Sequence, residues 1–432
     1  MILNYFLDLY RIRKAYLLSN SKIEDMQTQR LCALIKHAYA NVPYYRMLFD
    51  RAGIKPGDIK NKNDLSRVPI VSKKEISNLD LAERIVGRVD INRCKNLRTS
   101  GSTGRTLNIY STEKEILRSE TLPILSLLLD NGCIFTDKIL RITHPRFFTN
   151  PYWFQHVNIL REYFLSIFGD IEQQLKQFIQ IKPHVIRGYA SAIKSLALKI
   201  KESGERFTPP KVIFTTAEVM SDTDKEIVSS AFQTELIDYY CCNEIGIIAW
   251  ECKMHRGYHV NVDNAIVEFI KDGRVAKAGE ESDIVVTGLN NFIMPFIRYK
   301  IGDKGIFKEE KCQCNSNVPL ISKIVGRDND QIILPNGLTV SPHLLTSLIT
   351  AISGIREFQI IQKAIDKIDI NIIKENTLSE GYVVNRVKEE CENALGNSIK
   401  IEPLIIKTIP REESGKFKVV KNEIDSPGPH LP

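Results

Sequence analysis

Between residues 138 and 240 this chain alternates short apolar strands with helices, and that alternation constrains its fold most. Lys138 to Thr143, Val185 to Tyr189, Lys211 to Thr216 and Glu235 to Tyr240 read as strands. Asp170 opens a helix with Ile171, Leu175, Phe178 and Ile179 on one face, stopped before Pro183. Further helices are predicted over Ser191 to Ile200 and from Ser221. Strands joined by helices of this length predict an α/β fold with a mainly parallel sheet covered on both faces. Such sheets bind ligands at the carboxyl ends of their strands. Two stretches fall at such ends: Thr215-Thr216-Ala217-Glu218, and Asp238-Tyr239-Tyr240-Cys241-Cys242-Asn243-Glu244. Ala217, Glu218, Asp238, Tyr239, Tyr240 and Asn243 are therefore candidate binding residues.

Upstream lies Thr99-Ser100-Gly101-Ser102-Thr103-Gly104-Arg105, a run of hydroxyls and glycines. Gly101 and Gly104 have no Cβ, so the backbone N–H groups of this loop can approach a polyphosphate. Ser100, Ser102 and Thr103 add side-chain donors. Ser/Gly runs are often plain linkers, but this one is flanked by order. Leu107 and Ile109 alternate with polar neighbours as in a strand, and Thr112-Glu113-Lys114-Glu115 has capping-box spacing. The predicted helix stops at Asn131-Gly132. A Walker-type phosphate loop runs directly into a helix and ends in Lys-Ser/Thr; here a strand follows and no such lysine is present.

With 432 residues the chain is long enough for two or three domains. The net charge of +7 is modest, and no Lys/Arg block interleaved with aromatics appears, which argues against nucleic acid as a partner. A mildly basic surface suits anionic substrates. The first twenty residues are interrupted by Asp8, Arg11, Arg13 and Lys14, unlike a signal peptide, and are expected to pack on their own domain. No run of about 18 apolar residues offers a transmembrane segment, so the expected location is cytoplasmic. Beyond 258 the pattern shifts to short alternating runs (Tyr258 to Val260, Ile266 to Ile270, Asp283 to Thr287, Phe296 to Tyr299), a β-rich subdomain. After Gly326 the chain restarts as a small α+β unit: a hairpin through Pro335-Asn336-Gly337, a helix from Ser341, two strands to Lys374, a helix to Leu395 and a last strand.

Nine cysteines, an odd number, argue for reduced thiols over a disulfide framework. Cys312 and Cys314 are spaced to share a metal, and Cys252 with His259 completes a Cys3His set suited to tetrahedral, structural Zn²⁺. His255 is the rival fourth ligand, and buried reduced thiols are the plain alternative.

Taken with its later motifs, the chain resembles the adenylate-forming superfamily, in the branch of phenylacetate–CoA ligases and their capsule-biosynthesis relatives. The loop at 99–105 resembles that superfamily's phosphate loop, with Arg105-Thr106 where many members carry Lys-Pro. Ala38 to Arg46 and Leu65 to Lys73 are similar to the branch's opening region. Tyr240 and Glu244 match an aromatic-Gly-x-Thr-Glu motif, with Cys241 for Gly and Asn243 for Thr. Glu244 is then the expected Mg²⁺ ligand, in keeping with a hard cation's need for oxygen. Arg298 to Asp303 resembles the ribose-binding motif, Asp303 accepting from the ribose hydroxyls. Gly326-Arg327-Asp328-Asn329 resembles the domain junction, Arg327 near the ribose and Asn329 at the hinge. Ile409 to Lys416 resembles the last signature, with Lys416 as catalytic lysine. A cation there stabilises charge that builds up as a carboxylate meets the α-phosphorus. Some relatives carry a similar Cys/His set, which favours zinc here.

The resemblance implies a large AMP-binding domain over 1–326, with a β-rich, zinc-bearing part at about 252–325. A small mobile domain over 327–432 would carry Lys416. It implies ATP, yielding AMP, with Mg²⁺, a small-molecule carboxylic acid as substrate, and an acyl acceptor such as CoA, with an amine or sugar left open. A homodimer is compatible with it. Two rivals stand beside this reading. One is a non-catalytic, zinc-stabilised nucleotide-binding protein of the same fold; the other is a phosphotransferase with an unrelated loop.

Overall fold

The computed structural model describes the chain apart from residues 1, 88, 99–106, 144, 146–152, 157, 168, 219, 221, 327–331, 337–338, 341, 375–377, 397–398, 410–419 and 425–432. It divides into two compact units, Met1–Leu97 with Ile109–Arg327, and Arg98–Asn108 with Asp328–Pro432. The phosphate-type loop, Arg327, Asn329 and Lys416 fall outside the described residues.

The first unit opens with helices α1 (Ile2–Ala15), α2 (Asn20–Asn41) and α3 (Pro43–Arg51). As expected, α1 packs on its own unit: Leu9 and Ile12 are buried against Leu122. The short strand β1 (Val71–Ser72) and helices α4 (Lys73–Ser77) and α5 (Leu81–Arg84) follow. Strands β2 (Lys95–Arg98) and β3 (Asn108–Ser111) pair with each other. The 99–106 segment therefore joins two paired strands, of which only the second was legible in the sequence.

The predicted helix from Thr112 forms as α6 (Glu113–Ile116), one π turn (Leu117–Thr121) and α7 (Leu122–Asp130). Thr112 and Glu115 make the capping box. The alternating region supplies β4 (Ile139–Thr143), α8 (Trp153–His156), β5 (Glu162–Ser166), α9 (Ile171–Ile181), β6 (Val185–Tyr189), α10 (Ala190–Ser203), β7 (Val212–Thr216), α11 (Asp222–Phe232) and β8 (Leu236–Cys242). Asp170 caps α9, accepting from Gln173 N–H at 2.9 Å.

Strands β5-β4-β6-β7-β8 are parallel, as the alternation requires. One face packs on α9, α10 and α11 through Leu175, Phe178, Ile193, Leu196, Val228 and Phe232. The other carries Ile139, Val185, Val212, Phe214 and Ile237 beneath Ile124, Leu127 and Leu128 of α7. The sheet does not stop there. It continues antiparallel through β9 (Gly246–Glu251), β10 (Tyr258–Val260), β11 (Ala265–Lys271), β12 (Arg274–Val275), β13 (Ser282–Gly288), β14 (Tyr299–Lys308) and β15 (Leu320–Gly326). The spatial order is β12-β11-β13-β14-β15-β10-β9-β8-β7-β6-β4-β5, with β1 added parallel beside β14.

One expected strand is corrected. Phe296 to Arg298 are not in a strand; β14 begins only at Tyr299, because Arg298 adopts φ +47°, outside the range of extended backbone. The second unit contains the hairpin β16 (Ile332–Ile333) and β17 (Thr339–Val340), then α12 (Pro342–Ala351), β18 (Ile355–Ala364), β19 (Lys367–Lys374), α13 (Glu380–Leu395), β20 (Lys400–Ile405) and β21 (Val420–Asn422). Its sheet has the order β20-β19-β18-β21.

Candidate active site

The carboxyl end of β8 turns over Asn243, Glu244 and Ile245 into β9, and this turn is rigidly held. Buried Asn291 donates to Glu244 C=O at 2.9 Å, and Asn264 donates to Ile245 and Ile247 C=O at 2.9 Å each. Gly246 follows at φ +85°, and a Cβ there would lie 2.5 Å from Ser119 C=O. Only glycine fits both demands. The turn is thereby fixed against the π segment.

Glu244 is 6% exposed. Its Oε1 accepts from Tyr299 Oη at 2.8 Å, and Oε2 has no hydrogen-bond partner among the described residues. One aimed carboxylate oxygen fits a Mg²⁺ ion whose remaining ligands are waters and substrate phosphates. Tyr240 Oη donates to Asp303 Oδ2 at 2.7 Å, which brings the aromatic of the β8 end and the acid of β14 together. Tyr299 and Asp303 depend on the 292–298 segment, which three distant groups hold. Glu115 Oε1 accepts from Phe292 and Ile293 N–H at 2.7 and 2.9 Å. Tyr45 Oη accepts from Ile297 N–H and donates to Pro295 C=O, both at 3.0 Å. Arg298 pairs with Glu268 at 2.9 Å and reaches Val68 C=O at 2.6 Å. Sequence reasoning missed Glu115, Tyr45 and Tyr299 in these roles, since each acts across more than fifty residues.

Not every candidate at the strand ends faces one space. Asp238 is buried on the opposite face of β8 from Tyr239. It accepts from Thr215 Oγ1 and Tyr258 Oη at 2.7 Å each, while its N–H donates to Glu251 at 3.1 Å. Burial pushes its carboxyl up to about 7, against those two hydrogen bonds. Tyr239 Oη accepts from Arg187 Nε at 3.0 Å. Ala217 sits at φ +71°, just past β7. Thr216 Oγ1 donates to Tyr239 C=O at 3.1 Å, with Cys241 Sγ at 3.4 Å.

The Cys/His set converges. One ligand atom each from Cys252, His259, Cys312 and Cys314 lies within 4.8 Å of the others. Cys252 Sγ is 3.7 Å from Cys312 Sγ, and Cys314 Sγ is 3.3 Å from His259 Nε2. Tetrahedral zinc with Zn–S of about 2.3 Å separates its sulfurs by about 3.8 Å, so the donors fit that ion in kind and spacing. Burial opposes ionisation of Cys312, but N–H groups of Cys314 and Gln313 and the neighbouring thiols outweigh it and lower its pKa. His255 is not in the set; it faces Glu235 at 3.3 Å and Glu251 at 3.6 Å, and chiefly Glu251 raises its pKa. Between His259 and His255, the geometry selects His259. Beyond the cysteines, the 312–317 loop grips the α1–α2 link, with Ser316 donating to Tyr16 C=O at 3.2 Å and Asn317 to Leu18 C=O at 3.1 Å.

The chain is similar in sequence and in shape to known proteins. Residues 332–423 match the model of the CapK C-terminal domain family. Protein CapK of Staphylococcus aureus is 21% identical over 98% of this chain and 93% of its own length. Phenylacetate-coenzyme A ligase of Thermus thermophilus is 23% identical over 93% of this chain and 97% of its own. Among solved structures, 2-hydroxyisobutyryl-CoA ligase with 2-HIB-AMP and CoA superposes with a TM-score of 0.65, at 18% identity, over 95% of this chain and 92% of that one. No helix among the described residues is long and apolar enough to cross a membrane. Over nearly its whole length this chain is thus phenylacetate–CoA ligase-like and CapK-like in sequence, and it shares its fold with a CoA ligase.

Proposed function

We propose that this protein activates a carboxylic acid with ATP and passes the acyl group to CoA. In the first step a carboxylate oxygen attacks the α-phosphorus; the bond to the β-phosphate oxygen breaks and pyrophosphate leaves. In the second, a thiolate attacks the acyl carbon and AMP leaves, its phosphate taking the bonding pair. The observation that carries this reading is the pairing of Tyr240 with Asp303 beside a turn that presents Glu244, itself oriented by Tyr299. Asp303 would accept from the ribose hydroxyls, and Glu244 would hold Mg²⁺ against the phosphates, supplying positive charge where pyrophosphate departs. The hydroxyls and N–H groups of 99–104 would bind the phosphates. Arg327 would steady the ribose, and Lys416, on a small domain over 327–432, would offset the charge of the adenylation transition state.

Zinc at Cys252, His259, Cys312 and Cys314 would be structural, since four protein ligands leave no open position. A reaction that consumes ATP and CoA would suit the cytoplasm. A second reading, transfer to an amine or sugar hydroxyl with loss of AMP, draws support from the CapK C-terminal match over 332–423. Mass spectrometry of products from a carboxylate library with ATP and Mg²⁺, with and without CoA, decides between them. Pyrophosphate–ATP exchange tests the first step alone. A wide panel without exchange from protein that still binds ATP favours the non-catalytic rival.

A further inference from the structure

Helix α1 carries large apolar side chains on two opposite faces, and only one of these faces is buried. Leu9, Ile12 and Ala15 are buried, the first two against Leu122 of α7. At about 100° per residue, Phe6, Leu7, Tyr10 and Lys14 share a sector about 100° wide on the opposite side. Phe6 is 60% exposed and Tyr10 58%. The helical path continues for one tighter turn, in which Leu17 N–H donates to Lys14 C=O at 3.0 Å. Leu17 is 81% exposed. A single exposed leucine needs no explanation. Phe6, Tyr10 and Leu17, aligned along one side of the same helix, form a surface.

The charges of this helix are sorted as well. Asp8 is its one acidic residue. The Asp8 side chain is mostly covered and accepts from Arg118 of the π segment at 2.9 to 3.2 Å, so its charge is used on the inner side. Arg13 and Arg11 stand on the two flanks of the exposed stripe, and both side chains reach solvent. Arg13 pairs with Asp130 at 2.8 Å. Arg11 lies 3.7 Å from an Asp8 carboxylate that Arg118 already holds. Lys14 lies within the stripe, its ammonium 5.1 Å from the centre of the Tyr10 ring. Arg11 and Lys14 therefore leave the outer face with a net positive charge.

An apolar stripe bordered by cations matches the boundary between acyl chains and headgroups in an anionic bilayer. Rings and leucine side chains enter the acyl layer, while guanidinium and ammonium groups stay among the phosphates. A protein partner would have to desolvate the Lys14 ammonium inside the contact. A second copy of this chain would set one cationic face against another. We infer that the outer face of α1 docks this protein on a membrane surface that contains anionic phospholipid. The inner face stays packed on α7, so the contact is peripheral and reversible, and the helix need not leave its unit to make it.

The test is co-sedimentation of the full chain with vesicles of phosphatidylcholine alone and of phosphatidylcholine mixed equally with phosphatidylglycerol. The expected result is binding to the mixed vesicles, at least about 10-fold weaker on neutral vesicles and weakened when salt rises from about 0.1 M to about 0.5 M. F6S/Y10S/L17S and R11E/K14E should each bind the mixed vesicles at least about 10-fold less well. Far-UV circular dichroism and thermal unfolding establish that both variants are folded. Should the triple variant fail to fold, L17S decides: it lies beyond the end of α1 and should still weaken binding at least about 3-fold. Native protein left in the supernatant with mixed vesicles at low salt overturns the inference. Equal binding to neutral and mixed vesicles overturns it too, as does binding that L17S and R11E/K14E leave unchanged. A native dimer in sedimentation velocity that F6S/Y10S/L17S converts to monomer assigns the face to a second copy and likewise overturns it.

Discussion

Arg298→Ala is the substitution whose cost can be worked most fully from contacts. Arg298 has a side chain 7% exposed, paired with Glu268 at 17%. Its Nε and Nη2 contact the carboxylate at 2.9 to 3.1 Å, and Nη1 donates to Val68 C=O at 2.6 Å and Ser66 C=O at 3.2 Å. Removing one partner of a buried pair costs about 3–5 kcal/mol, because the other charge stays buried. Val68 is fully buried, so its carbonyl loses its donor for about 1–3 kcal/mol more. Ser66 is exposed and turns to water. Alanine keeps the strained positive φ, so nothing is recovered there. The sum, about 4–8 kcal/mol, rivals the whole stability of a typical domain.

Both tryptophans, 153 and 250, belong to the first unit, so urea unfolding followed by tryptophan fluorescence reads that unit specifically. The R298L/E268L pair removes both charges and is expected to be at least about 2 kcal/mol more stable than R298A, since apolar replacement of a whole buried pair is close to neutral. A loss below about 1 kcal/mol in R298A, or a double variant no better than the single, refutes this account of how the segment ahead of Tyr299 is fixed.

Lys416→Ala is expected to slow pyrophosphate exchange by about 10²–10³ with little change in ATP binding. Thioester formation from preformed adenylate should survive it, and equal losses in both half-reactions refute the assignment. Protein purified without added metal should carry about one zinc per chain by elemental analysis. C312S and H259A should lose the metal while H255A retains it, and hydrogen exchange should rise at Tyr16 to Leu18, whose carbonyls the 312–317 loop holds. Asp238 sets a pH dependence. Its folded pKa of about 7 exceeds the unfolded value near 4, so the native state binds the extra proton. Its stabilising contribution is complete below about pH 4 and is lost as pH rises to about 7, at most on the order of 4 kcal/mol. D238N should abolish that slope in chemical denaturation measured from pH 4 to 7.5, and an unchanged slope refutes the role.

The parts legible in the sequence were those with local causes. Asp170 and Thr112 cap helices through neighbours three residues away, and Gly132 stops one, so those boundaries could be read directly. Strands β4, β6, β7 and β8 could be read because each carries an apolar run covered on both faces, whereas β5 (Glu162–Ser166), bounded by Glu162 and Ser166, was not read from the sequence. Phe296 to Arg298 misled, because an apolar run looks extended whatever its φ, and Arg298 at +47° is set by Glu268 and Val68 from other elements. The zinc-type set was legible in the sequence with His259 as its fourth member, but the sequence alone did not dismiss the rival His255. His255 and His259 differ only in which way β10 and the preceding turn direct them, and Gly257 makes that turn where a Cβ would strike Ile321 C=O at 2.4 Å.

The departures at Cys241 and Asn243 gain a physical reading from the face they occupy. Cys241 lies two residues beyond Tyr239 on β8 and packs in the same apolar cluster, the register shift between Tyr240 and Cys241 notwithstanding. A residue without a side chain there would leave the space beside Thr216 unfilled. Cys241 instead fills that space against Thr216, and burial keeps its thiol protonated, with a pKa of about 11. A protonated thiol is a small, weakly polar wall. Cysteine in place of glycine does not by itself remove the Glu244 turn, which Asn264, Asn291 and Gly246 hold independently.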